Sequence, residues 1–192
     1  MTALTQPPGR LLAIADYAAL GEDDRSRWEL QEGNLVMSPS PTPRHMAAVA
    51  ELYAQLRAQL PADLRAVPDV DLDVQLVPEG QPATARRSDL VVVRRSEFDR
   101  VDREGGLLRA EAAVLVVEIV SPGSRRTDTL IKRREYADAR IPHYWIVDLD
   151  APVALLDCHL AGDFGYQDSG EMTGSYEARE PFPVRLDLDA LI

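Results

Sequence analysis

Hydrophobic positions fall into three kinds of run along this chain, and each kind predicts a different element. Leu90–Val93 and the stretch AVLVVEIV at 113–120 are continuous apolar runs, rich in β-branched residues, as strands covered on both faces require. Val70, Leu72, Val74 and Leu76 instead alternate with Asp71, Asp73 and Gln75, which predicts a strand with one wet face. Met46, Val49, Ala50, Tyr53, Leu56 and Leu60 recur at helical spacing, in a helix capped by Thr42, opened by Pro43 and stopped by Pro61.

Shorter signals complete the pattern. Residues 11–20 read as a short helix, and 28–39 as two strands joined by a tight turn at Glu32, Gly33 and Asn34. Thr127 to Ala139 reads as a helix, followed by strands in 141–150 and 152–160 and a glycine-bearing turn at 161–165. The predicted order α-β-β-α-β-β-β-α-β-β gives an α/β (α+β) fold, a mixed sheet with helices packed on it. The expectation is a single domain over 1–192, with a core at about 11–160 and C-terminal strands at 161–192.

Composition narrows the function. No stretch approaches the roughly 20 apolar residues of a membrane span, and the N-terminus carries no signal-peptide pattern, so a cytoplasmic protein without a membrane partner is expected. One cysteine, Cys158, and three scattered histidines offer no disulfide and no zinc-finger spacing. A net charge of −11 argues against coating nucleic acid non-specifically. The basic residues are nonetheless clumped, at Arg86 and Arg87, at Arg94 and Arg95, and from Arg125 to Arg140; such clumps are more often solvated faces than binding patches.

Glu118 breaks the pattern. A carboxylate inside a covered strand costs several kcal/mol unless it is paired, protonated or bound to a cation. Asp89 stands immediately before the other covered run, so neighbouring strands would bring both carboxylates to one edge of the sheet. Two hard oxygen ligands there suit Mg²⁺ or Mn²⁺, with water and substrate phosphate filling the remaining positions. Lys132 lies four residues after Asp128, on one helical face with Tyr136 a turn further on.

The segments WELQEGNLVMSPSPTPRH, SDLVVV and VVEIVSPGSRRTDTLIKRREYADARIPHYWIVD follow in the order seen in the Uma family of restriction-endonuclease-like proteins. The resemblance runs from about Trp28 to the terminal RLDLDALI. That family resembles the PD-(D/E)XK nuclease superfamily, which implies a restriction-endonuclease-like mixed β-sheet flanked by helices. It puts the metal-binding acids on Asp89 and Glu118 and a further active-site acid on Glu29. Ser88 stands where a proline commonly precedes the Asp, and Val120 where a lysine is usual, so the family's lysine falls on Lys132.

The implied activity is metal-assisted hydrolysis of nucleic-acid phosphodiester bonds, DNA in the first instance. Asp89 and Glu118 would hold the ion, Glu29 would complete the shell or bind a second ion, and Lys132 would orient the attacking water or neutralise charge on the phosphate. Arg44 and His45, at a helix N-terminus, would contact substrate, and a homodimer would serve the two strands. Each residue also has a plainer reading. Glu118 suits a core acid paired with an arginine, Asp89 the end of a loop before its strand, Glu29 a hairpin surface residue, and Lys132 a surface pair with Asp128. Tyr136, Tyr144 and Trp145 suit the core. The second functional class is a non-catalytic binding or interaction module that keeps the nuclease fold.

Overall fold

The computed structural model describes residues 10–20, 28–38, 40–121 and 123–192. Its first strands form the expected hairpin, β1 (Trp28–Gln31) and β2 (Asn34–Met37), with Gln31 opposite Asn34. Glu32 and Gly33 both take positive φ, 48° and 79°, the primed turn whose twist matches the strands. A Cβ on Gly33 would stand 2.7 Å from Leu11 Cβ and 2.9 Å from Pro82 Cβ, so the turn admits only glycine there. Before it lies α1 (Ile14–Ala18), which buries Tyr17.

Thr42 caps α2 (Pro43–Arg57), its side chain accepting from the His45 amide, as its sequence predicts. The helix ends at Arg57, short of Leu60, and its buried face is Ala48, Val49, Leu52 and Leu56, whereas Met46 and Ala50 are exposed. The strand expected at 70–76 begins earlier and ends earlier, as β3 (Leu64–Asp73). It pairs along its length with β4 (Ala85–Arg94), and this ladder, not the alternation alone, fixes its limits.

Two elements carry no clear pattern in the sequence: the charged segment α3 (Arg95–Glu104) forms a helix, and a short strand β5 (Leu108–Arg109) pairs with β3. The covered run at 113–120 is β6 (Ala113–Val120), antiparallel to β4 and parallel to β7 (His143–Asp148). Parallel neighbours need a crossover. Here it is a π-helical segment, Thr127–Lys132, that continues as α4 (Arg133–Asp138). β8 (Ala154–Leu160) and β9 (Tyr166–Thr173) extend the sheet, whose main path runs β2-β1-β4-β6-β7-β8-β9.

The result is the mixed α+β layering expected from the sequence, with a core on each face of the sheet. On one face α2 packs with Leu90, Val92, Leu115, Val117 and Trp145. The hairpin β10 (Ser175–Ala178) and β11 (Val184–Asp187) covers the same core through Tyr176, Val184 and Leu186, so the C-terminal segment is structural. On the other face α4 covers Val91, Val116 and Tyr144 with Tyr136.

β4 makes the junction that matters. One of its edges is taken throughout by β3, so β1 and β6 share the other: β1 meets it at Ala85, and β6 from Leu90 to Val93. Between these two contacts the sheet forks, and Arg86 to Asp89 line the fork.

Candidate active site

The fork gathers side chains from four elements. Glu29 comes from β1, Arg86 and Ser88 from β4, Glu118 from β6, and Lys132 and Tyr136 from the crossover above. Extending the register Leu90↔Val117 by one step sets Asp89 opposite Glu118. Asp89 is held from two sides, its Oδ2 accepting from the Ile119 amide at 2.6 Å and its Oδ1 paired with His45 Nε2 at 2.8 Å.

Lys132 lies at the centre, and only 5% of its surface is exposed. Its ammonium stands 2.9 Å from Glu118 Oε1, 3.4 Å from Glu29 Oε1 and 3.7 Å from Asp128 Oδ1, and donates to the Arg87 carbonyl at 3.4 Å. The plainer readings of two residues therefore fail: Lys132 and Asp128 are a buried pair, and Glu29 is buried. Glu118 is a buried acid with a cation partner, which is a lysine in place of the expected arginine.

Local backbone chemistry explains how a helix residue reaches so deep. Asp128, Lys132 and Tyr136 recur every fourth position, and all three are buried. The segment holding the first two is π-helical, a wider turn often found at functional sites. The Tyr144 hydroxyl donates to the Asp128 carbonyl at 2.9 Å, satisfying a backbone acceptor within that turn.

Arg86 corrects the expectation of a solvated basic clump. It is 1% exposed, donating to Glu29 Oε2 at 2.9 Å and to both oxygens of Glu135 at 2.7 Å. The bidentate fork to Glu135 fixes the guanidinium, which in turn fixes Glu29. Arg87 N adds a 3.2 Å hydrogen bond to Glu29 Oε1. Arg44 is not drawn into the cluster, because its guanidinium donates to the Leu149 carbonyl at 2.6 Å.

Electrostatics separates these acids. Burial opposes ionisation of Glu29, but the Lys132 and Arg86 charges hold it below the usual carboxylate range. Burial wins at Glu118, which Asp89 and Asp128 also disfavour as an anion, and pushes it to about 8 despite Lys132. Burial likewise raises Asp128. Lys132 is raised well above an ordinary lysine, its three carboxylate neighbours overcoming its own burial. The hydrogen bond to Asp89 raises His45.

Two hydroxyls outside the expected site residues join the site. Tyr136 donates to Glu118 Oε1 at 2.8 Å and lies 3.0 Å from Ser88 Oγ. The spacing of four from Lys132 is a signal for Tyr136, and composition carries a signal for Lys132 itself. Lys132 is the only lysine in the chain, the other 20 basic residues being arginine.

Two carboxylates, the donor type a hard divalent ion takes, stand where the β4–β6 ladder ends, with no hydrogen bond reaching Glu118 Oε2 among the described residues. Among those residues no group of three or more His, Cys, Asp and Glu side chains is arranged to hold a metal. Nor is any of their helices long and apolar enough to cross a membrane.

Comparison with known proteins agrees with this architecture. No curated protein matches the chain. A crystal structure described as "a putative nuclease belonging to DUF820", from Anabaena variabilis, superposes with a TM-score of 0.69 at 16% identity, covering 94% of this chain and 97% of that one. That likeness establishes the fold. The model of the Uma2 family, described as "Putative restriction endonuclease", matches residues 14–185. Spanning most of the sequence, that match places the chain in the Uma2 family.

Proposed function

We propose that this protein is a divalent-metal-dependent endonuclease that hydrolyses phosphodiester bonds of nucleic acid in the cytoplasm. The observation that carries the reading is the fork itself. There Asp89 and Glu118 stand just past the end of the β4–β6 ladder, with an ammonium 2.9 Å from Glu118.

Asp89 and Glu118 are the residues that would hold Mg²⁺ or Mn²⁺. Such an ion supplies polarisation of the phosphate and a water of lowered pKa. The remaining roles belong to the chain. Lys132 offers a compact positive charge beside the scissile phosphate, where negative charge grows in the transition state. Glu29 holds Lys132 in place and is itself held by Arg86, whose second partner is Glu135. His45, 2.8 Å from Asp89, orients that carboxylate and lies at the N-terminal turn of α2, where backbone N–H groups favour a phosphate. A homodimer would present one site to each strand of a duplex.

The test is a cleavage screen over single- and double-stranded DNA and RNA with Mg²⁺, Mn²⁺ or chelator. Metal-dependent cleavage that Asp89→Asn abolishes is the expected result. One observation favours the second reading, a binding module that keeps the fold: both proposed ligands already have partners within the protein. Nucleic-acid binding without cleavage under every condition would put that reading first. Sedimentation of the same preparation checks the dimer.

A further inference from the structure

We propose that Lys132 is the resident cation of the metal-free site, occupying the ground a divalent ion needs beside Glu118 and having to leave that carboxylate before the ion is held. This rests on the reading of Asp89 and Glu118 as metal ligands.

The geometry is that of a cation already bound. One ammonium contacts carboxylates from three elements, Glu118 at 2.9 Å, Glu29 at 3.4 Å and Asp128 at 3.7 Å, with the Arg87 carbonyl at 3.4 Å as a fourth oxygen. These are the hard oxygen donors, turned toward one point, that a small cation attracts. The composition bears on the same point. A chain with 20 arginines places its single lysine here. A guanidinium is planar and forked, and it locks onto one carboxylate, as Arg86 does on Glu135. An ammonium is a compact point charge on a flexible stem, able to sit among several acids and to move between them.

A doubly charged ion at Glu118 and a single charge 2.9 Å from the same carboxylate repel each other strongly in a site this dry. Lys132 has somewhere to go, because Glu29 and Asp128 stay within its reach and keep the charge paired. Moved off Glu118, the ammonium has a donor free for an incoming phosphate. Ion loading and the arming of Lys132 then become one event.

Two measurements test this on the full chain. Calorimetric titration with Mn²⁺ should show Lys132→Met binding the ion at least about tenfold more tightly than wild type, since a competing charge has been removed. Equal or weaker binding by the variant overturns the proposal, and if wild type binds an ion that Asp89→Asn loses, the metal-ligand reading stands without it. Absence of Mn²⁺ binding in both proteins overturns both. Should Lys132→Met fail to fold, ¹⁵N-lysine labelling of wild type gives a single side-chain ammonium signal. That signal should shift in step with Mg²⁺ occupancy, and an unchanged signal at saturation sinks the idea.

Discussion

Glu118 and Glu97 are both buried glutamates, 2% and 7% exposed, yet burial has opposite outcomes at the two. Glu97, in the first turn of α3, receives both Nε and Nη2 of Arg100, at 2.9 and 2.7 Å, and the Arg109 amide at 3.1 Å. Burial pushes its pKa up, but these donors outweigh it and hold the carboxyl below the ordinary range. Glu118 shares one ammonium with Glu29 and Asp128, and burial lifts it to about 8. Glu97 has a cation of its own, whereas Glu118 is left short of compensation, the environment that the proposed metal-ligand role calls for.

The sharpest way to break this contrast is to neutralise each acid. Glu118→Gln should reduce metal-dependent cleavage by roughly a thousandfold or more. It should keep the fold, because Lys132 retains Glu29 and Asp128 and is not stranded. Cleavage rates and thermal melts on the same protein check both halves. A variant that unfolds would make Glu118 a structural acid like Glu97.

Next in size is the pH dependence of the metal-free protein. Burial raises Glu118 from 4.5 unfolded to about 8 folded, so across that window the native state holds a proton that the unfolded chain has released. Its contribution to stability is complete below 4.5 and falls away as pH rises through 8. Glu97 runs the other way: its lowered pKa stabilises above the unfolded value and is lost in acid. Melts from about pH 5 to about pH 9 should show wild type losing stability relative to Glu118→Gln as pH rises. Parallel curves would mean that Glu118 titrates normally.

The sequence made much of this site legible, for identifiable reasons. A carboxylate within the covered run at 113–120 needs a partner, a proton or a cation, which singles out Glu118, and Asp89 is marked by its place before the run at 90–93. Lys132 followed from the family pattern. Arg86 did not, since only the forked edge of β4 puts it indoors and nothing in a pair of adjacent arginines encodes that. Tyr136 was read as core because a buried ring looks the same whether or not its hydroxyl has work to do. In the fold, β3 was misplaced by its alternation because a long ladder with β4 carries it back to Leu64. The helix α3 was missed because its short run is charged and only Phe98 and Val101 reach the core.

The structural side of the comparison predicts a stability effect with no catalytic one. Glu97→Ala removes the carboxylate that fixes Arg100 and should cost about 1.5–3 kcal/mol, the range for hydrogen bonds to charged groups. Denaturant unfolding measures it. Cleavage per folded molecule should not change, since α3 contributes nothing to the fork. A loss of turnover without loss of stability would erase the distinction between the two acids.

The smallest expected effect belongs to Tyr136→Phe, which keeps the buried ring and removes one hydroxyl. That hydroxyl donates to Glu118 Oε1 at 2.8 Å, with Ser88 Oγ 3.0 Å behind it. A donor of this kind favours the ionised carboxylate, so its loss should raise Glu118 further and make the carboxyl give up its proton less readily. Mn²⁺ affinity near neutral pH should then fall by roughly tenfold, the lower end for groups that support a metal ligand. The deficit should shrink as pH rises, because alkali deprotonates Glu118 in wild type and variant alike. A deficit that stays constant with pH would mean that Tyr136 only shapes the site, and that its hydroxyl has no hold on the charge of Glu118.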